Sequence, residues 1–404
     1  MGRFSILLLT AMTAVVLTGC QSAPVSTSTP EAAVTPTPTA APTPTPTPQP
    51  PTTATLAVCG DVMSHMPVTN DAWDEGAGIY DYTPIFEAAR PYVEGADYAV
   101  ANLETTLSTQ EPYSGYPAFK SPAALAGDLK DLGFDLVLTA NNHCLDRGYD
   151  GLVSTLDQLD QAGLAHVGTA RSAEEAQPDT AIQVADVGGI SVAFLGYTYG
   201  TNGIPLPSGK DYAVNLFNTD YMTTLSTPDT DRLEADLAAA RALDTDLIAV
   251  MIHWGVEYQT TQNSYQEELT DLLIANGADL VLGGHSHVPQ PLEMRTVTAA
   301  DGTQHTGFVC YSLGNFISSQ VDPLTDTTAV LTLELTLDHE TGEAGVTGWS
   351  YVPMLMVRRD GAAQVFTLTD ASAIPAGASD ALVQKLEQAV SDCASILGPT
   401  PASP

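Results

Sequence analysis

From Thr55 onward the chain alternates between short runs that are apolar at consecutive positions and longer segments that are apolar at helical spacing. The runs are TLAVCGD (Thr55–Asp61), YAVANLE (Tyr98–Glu104), LVLTANNH (Leu136–His143), VAFLGYTY (Val192–Tyr199), LIAVMIHWG (Leu247–Gly255) and LVLGGHSH (Leu280–His287). Successive side chains of a strand point to opposite faces, so unbroken apolar runs predict strands covered on both sides. Helical spacing is found in PIFEAARPYV (Pro84–Val93), PAALAGDLKDLG after Ser121, GLVSTLDQLDQAG from Gly151, DRLEADLAAARAL from Asp231 and YQEELTDLLIANG from Tyr265. In the last of these Leu269, Leu272 and Leu273 share a face, and Gly277 ends the segment. Strand and helix in alternation predict an α/β domain.

After about Thr306 the pattern changes to strands in succession: GFVCYSLGNFI, TAVLTLELTL, WSYVPMLMVR and QVFTL. This half is expected to form an antiparallel sheet, followed by a helix over Asp380–Leu397. No internal repeat is visible. The expectation is a single domain of two sheet layers flanked by helices over residues 54–370, with a C-terminal helix and tail over 371–404.

The first 53 residues follow neither pattern. Arg3 precedes an apolar run, Ile6–Val16, too short to span a bilayer as an ordinary helix, and LTGC closes it at Cys20. Residues 1–20 therefore have the form of a lipoprotein signal peptide, with Cys20 as the lipidated mature N-terminus. Residues 21–53, dominated by Pro, Thr and Ala, bury too little to fold and predict an extended stalk. Together they predict a protein lipid-anchored at the extracytoplasmic face of the cell membrane. The other four cysteines, Cys59, Cys144, Cys310 and Cys393, have neither disulfide-framework nor zinc-ribbon spacing and are expected to be buried free thiols. Thirteen Lys and Arg against 48 Asp and Glu give a net charge of −35 and no basic cluster, which argues against nucleic acid as a partner.

Polar residues fall at the ends of the apolar runs. Asp61 follows LAVCG, Glu104 follows VANL, Asn142 and His143 follow LVLTAN, His253 follows IAVMI, and His285 and His287 follow LVLGG. Strand ends are where loops of an α/β sheet converge on one crevice. Taken singly, each has a bland reading: Asp61 as a cap, His253 as a core histidine, Asn142 as a turn residue, Glu104 as the partner of Arg147. Taken as a set, carboxylate, amide and imidazole donors suit borderline divalent ions such as Zn²⁺, Mn²⁺ or Fe²⁺, and suffice for two ions sharing a carboxylate.

In order, GD (Gly60-Asp61), NLE (Asn102–Glu104), NNH (Asn141–His143), HWG (His253–Gly255) and GHSH (Gly284–His287) resemble the motif series of calcineurin-like metallophosphoesterases. More closely, GDVM, ANLETTL, ANNHCLDRG, HWGVEY, GADLVLGGHSHVPQP and YSLGNFI look like the bacterial CapA family of poly-γ-glutamate capsule synthesis. The resemblance implies a two-sheet β-sandwich flanked by helices, four layers in αββα order. It implies that Asp61 and His287 hold one ion and Asn142, His253 and His285 the other, with Glu104 bridging where a phosphoesterase usually has aspartate. His143 would serve the leaving group, with Asp146 orienting it. The phosphoesterase pattern begins Asp-x-His, whereas this chain has Met63 at the third position, with His65 two residues on as a possible substitute ligand. The functional expectation is capsule synthesis or export by metal-dependent hydrolysis, with membrane synthase subunits as possible partners. The alternatives are a secreted phosphoesterase unrelated to capsule, and a non-enzymatic accessory subunit of a membrane synthase.

Overall fold

The computed structural model describes residues 49–359 and 365–400. The signal segment, Cys20 and the stalk up to residue 48 lie outside the described residues. Strand β1 (Thr52–Val62) begins inside the segment expected to be stalk, because Thr52 to Val58 pair with Leu337 to Leu331. Beside it lie β2 (Tyr98–Leu103), β3 (Leu136–Leu138) and β4 (Ala165–Val167), each parallel to its neighbour.

The chain then builds a second sheet: β5 (Gln183–Val187), β6 (Ile190–Thr198), β7 (Leu247–His253), β8 (Leu280–Gly284), β9 (Pro289–Thr298) and β10 (Gln304–Leu313). It returns to the first sheet as β11 (Asn315–Ile317), β12 (Thr327–Leu337), β13 (Ala344–Arg359) and β14 (Val365–Asp370). The first sheet has the order β14-β13-β12-β1-β2-β3-β4, with β11 pairing the end of β1, and the second β9-β10-β8-β7-β6-β5. In the second sheet β6, β7, β8 and β10 are mutually parallel, whereas β5 and β9 run antiparallel at its edges.

Unbroken apolar runs follow from this layering. Along β6 and β7, Phe194, Ala249 and Met251 pack into the space between the sheets with residues of the first sheet. Their neighbours Leu195, Ile248 and Val250 face outward beneath helices α3 (Thr230–Arg241) and α4 (Ser264–Ala275), which follow α1 (Ala124–Leu132) and α2 (Gly148–Ala162) in the chain. The last two contribute Leu125, Leu129, Leu152 and Leu156 to the first sheet's core. Each such buried leucine stabilises by roughly 1.5–3 kcal/mol relative to exposure. The result is four layers, helix, sheet, sheet and helix, as expected. A terminal helix, α5 (Asp380–Leu397), packs Leu386 and Ala389 against Leu355 and Val357 of β13.

Two expectations need correction. The segment from Pro84 to Val93 is not one helix but two single turns separated by a 3₁₀ turn, Glu87–Ala89. Pro91 has no N–H to continue the ladder. The strands after Thr306 do not form a sheet of their own, since GFVCYSLGNFI breaks at Gly314 and belongs to both sheets. The short or half-polar strands β4, β5 and β9 carry no unbroken apolar run and were not foreseen. The four cysteines are buried and free, and burial pushes the Cys59 and Cys310 thiols above their ordinary range.

The crossing at Gly314 (φ 73°) brings its carbonyl against β1, where it accepts from the Asp61 N–H at 2.9 Å. A Cβ on Gly60 would lie 1.9 Å from that same oxygen, whereas one on Gly127 in α1 would meet nothing within 4 Å. Gly60→Ala is expected to lower stability by about 1–3 kcal/mol or more in chemical denaturation, and Gly127→Ala to leave it unchanged or raise it by about 0.5–1 kcal/mol.

Candidate metal centre

Each polar residue of the sequence pattern emerges at the C-terminal end of a parallel strand. Asp61 ends β1, Glu104 follows β2, Asn142 and His143 follow β3, His253 ends β7, and His285 and His287 follow β8. Parallel packing of both sheets points these ends the same way, so the side chains meet in one buried cluster. Asp61, Glu104 and His253 are fully buried, and Asn142, His143, His285 and His287 nearly so.

The glycines of GGHSH permit this convergence. A Cβ on Gly283 would lie 2.2 Å from the Tyr311 carbonyl, and one on Gly284 would lie 2.6 Å from Asp61 Oδ1. Both following histidines adopt left-handed backbone, with φ 101° at His285 and 59° at His287. Such conformations are costly for a residue with a Cβ and persist where surrounding contacts impose them. They break the alternation of an extended strand, so both rings reach one side.

Donor atoms gather in three groups, each within 4.8 Å: Glu104, His253 and His285; Asp61, Glu104 and His287; and Glu257, His285 and His287. Asn142 Oδ1 lies 3.1 Å and Glu104 Oε1 3.6 Å from His253 Nε2. Neither oxygen of Glu104 has a hydrogen-bond partner, nor has Nδ1 of His285, although all three atoms are buried. Burial, reinforced by Asp61, Glu257 and Asp146, holds the Glu104 carboxyl well above its ordinary range. Burial and neighbouring imidazoles hold His253 and His285 well below theirs, in the neutral form that ligates a metal. Orphaned buried polar atoms cost roughly 1–3 kcal/mol each. A divalent ion removes that cost at Glu104 and His285 together, so the residues fit such a group.

Supporting contacts orient the donors. Asn102 donates its amide to Asp61 Oδ1 at 2.7 Å and to His253 Nδ1 at 3.1 Å, and accepts from Asn141. His287 Nδ1 donates to Asn315 Oδ1 at 3.1 Å, while the Asn315 amide nitrogen donates to Gln320 and to the Thr325 carbonyl. Asp146 accepts from His143 Nδ1 at 2.7 Å and from the Phe119 N–H at 2.6 Å. Such outer contacts fix ring orientation, and those from Asn315 and Asp146 also hold the proton on Nδ1. Arg147, a possible partner for Glu104 in the sequence, instead reaches Ser114 and the Ala118 carbonyl. His65 belongs to none of the three donor groups. It lies edge-on to Phe119, with Nδ1 3.4 Å from Ser318 Oγ, and burial lowers its pKa to about 4.

Sequence reasoning missed two residues. Asn102 stands two positions before Glu104 on the same face of β2, a spacing that marks it as a neighbour. Glu257, in the turn after β7, carries no local signal of its own. Beside the cluster lies a cavity of about 560 Å³ walled by Tyr199, Phe217, Leu225, Val256, Glu257 and His285.

Fold and site together define a two-sheet α/β protein whose carboxylates and imidazoles form a centre compatible with divalent metal. The chain belongs to the family described as bacterial capsule synthesis protein PGA_cap, whose model matches residues 55–320. It is 28% identical over 264 residues to PGA biosynthesis protein CapA of Bacillus subtilis, covering 65% of this chain and 62% of that one. It is 26% identical over 271 residues to capsule biosynthesis protein CapA of Bacillus anthracis, covering 66% and 60%. The alignments thus span about three fifths of those relatives. A solved structure described as a novel phosphatase from Mycoplasma pneumoniae aligns over 75% of this chain and 94% of its own, at 13% identity and a TM-score of 0.40.

Because burial and neighbouring carboxylates favour the protonated form of Glu104, an ion that takes its oxygens competes with that proton, and affinity must rise with pH up to the raised pKa. Calorimetric Mn²⁺ titration of metal-free protein in buffers of different ionisation enthalpy should show net proton release at neutral pH. In Glu104→Gln that release should disappear and binding weaken.

Proposed function

We propose that this chain is a lipid-anchored, extracytoplasmic protein of the cell membrane that acts in poly-γ-glutamate capsule synthesis or export through metal-dependent hydrolysis. The observation that carries the chemistry is Glu104, a buried carboxylate with both oxygens unpartnered and donors on two sides of it. In this reading two divalent ions, Zn²⁺, Mn²⁺ or Fe²⁺, would share Glu104. Asp61 and His287 would hold one, and Asn142, His253 and His285 the other. Such a pair would supply Lewis acidity and an activated water.

The chain's own groups do the rest. Asp146 accepts from Nδ1–H of His143, which fixes the ring and leaves Nε2, when the ring carries both protons, to give one to a leaving oxygen and return to the neutral form. Family membership and the CapA relatives support the capsule role, and the LTGC motif at Cys20 supports the anchor. Membrane synthase subunits are the partners this role implies. Among the described residues no helix is long and apolar enough to cross a membrane. With a net charge of −35, the chain would repel a polyglutamate segment unless bound cations intervene.

One observation favours a second reading, a phosphoesterase unrelated to capsule. The cavity beside His285 has aromatic and aliphatic walls and no Lys or Arg, a poor receptacle for a polyanion and a fair one for the uncharged part of a small phosphoester.

Purified protein loaded with Mn²⁺ or Zn²⁺ is expected to turn over members of a phosphoester panel. His143→Ala should lower the rate by about 10²–10⁴ while retaining bound metal, and His285→Ala should lose both metal and activity. A chain that binds no divalent ion refutes the reading. Complementation of a capsule-deficient strain separates the two substrates: rescue by wild type and not by His285→Ala favours the capsule role.

A further inference from the structure

We propose that Glu257 is a ligand of the ion held by Asp61 and His287, in place of the histidine that the Asp-x-His pattern has where this chain has Met63. The proposal rests on the reading of these donors as a metal centre. Its starting point is the tautomer of His287. The Asn315 amide nitrogen is committed to Gln320 and Thr325, so its oxygen faces His287 and accepts from Nδ1–H. Nε2 is then the ring nitrogen available to a metal. Asp61 approaches the ring on its Nδ1 side, with Oδ2 at 3.7 Å, whereas Oε1 of Glu257 lies 3.8 Å from Nε2. That separation is too long for a hydrogen bond. It is close to the spacing of two atoms bound to one ion, about 3–3.5 Å when each bond is about 2.0–2.2 Å.

A second observation points the same way. Glu257 offers a donor atom to one group with His287 and His285 within 4.8 Å, which brings its carboxylate into the donor cluster. The turn that carries Glu257 is fastened to the histidines. Gly255 has φ 89°, Tyr258 has φ 65°, and the Tyr258 N–H donates to the carbonyl of Ser286, the residue between the two histidines. A Cβ on Gly255 would lie 2.9 Å from the Gln266 amide, so the turn is closed against α4.

Charge argues for a cation here as well. Glu257 forms no ion pair with Lys or Arg among the described residues. In a chain of net charge −35, two carboxylates brought toward the same imidazoles repel one another unless a cation stands between them. Glu257 is also partly exposed, so its side chain can be neutralised without opening the core.

The test is Mn²⁺ binding to the metal-depleted full chain, followed by calorimetry and by electron paramagnetic resonance of free Mn²⁺. Wild type is expected to take up two ions. In Glu257→Gln one ion should bind at least about tenfold more weakly and the other as in wild type, while the melting temperature of the metal-free protein stays the same. Two ions bound by Glu257→Gln with wild-type affinities would overturn the proposal. Failure of the underlying reading looks different: wild type itself would bind no Mn²⁺, and His285→Ala would change nothing, which would remove the metal centre and this ligand with it.

Discussion

The carboxylate of Asp61 ties the two sheets together at the end where the donors gather. One oxygen accepts from Asn102 on the neighbouring strand of its own sheet, and the other from the backbone N–H of His285, which belongs to the opposite sheet. Its own N–H is held by the carbonyl of Gly314, the residue at which the chain passes from one sheet to the other. A fully buried carboxylate is tolerable only where hydrogen bonds replace its hydration. Here those bonds come from two separate segments, and the backbone bond to Gly314 adds a third tie, so satisfying the charge fixes the relative position of β1, β2 and the loop after β8. Gly60, Gly283 and Gly284 are small for this reason, each giving the opposing backbone or carboxylate the room a methyl group would occupy.

Against that satisfied acid stands an unsatisfied one. Asp61 and Glu104 are equally buried and close together, yet only Glu104 lacks partners altogether. The contrast separates a carboxylate that organises the protein from one held open for a ligand. The rings of His253 and His285 are shifted toward the neutral form by the same desolvation that raises the Glu104 carboxyl. Orientation is imposed from behind: Asn102 on His253, Asn315 on His287 and Asp146 on His143 each hold the ring nitrogen that faces away from the work.

How much of this was legible depended on how local the cause was. Strands with both faces covered announce themselves as unbroken apolar runs, and the polar residue ending each run marks a site because parallel strands end together. The series Asp61, Glu104, Asn142, His253, His285 and His287 was visible in that way, and the structure brings all six together. The edge strand β5 has an intermediate and exposed pattern that no periodicity distinguishes from a loop. The split of GFVCYSLGNFI was hidden because a positive φ at Gly314 leaves no trace in hydrophobicity. Glu257 was hidden for a similar reason: it lies four residues past His253, and only the turn at Gly255 and Tyr258 folds it back. Pro91 is the opposite case, a breaker plainly present within a run whose apolar spacing masked it.

The polarity of β1 has a mechanical consequence. This strand enters at Thr52, in the middle of its sheet, and delivers Asp61 at its far end. At about 3.3 Å per residue the entry point and the donors are roughly 30 Å apart. A force applied at Thr52 along β1 therefore acts on a central strand at the end of the sandwich remote from the donors. It loads the ladder between β1 and β12 in shear, where many hydrogen bonds share the force, and leaves the mouth of the site at the unloaded end.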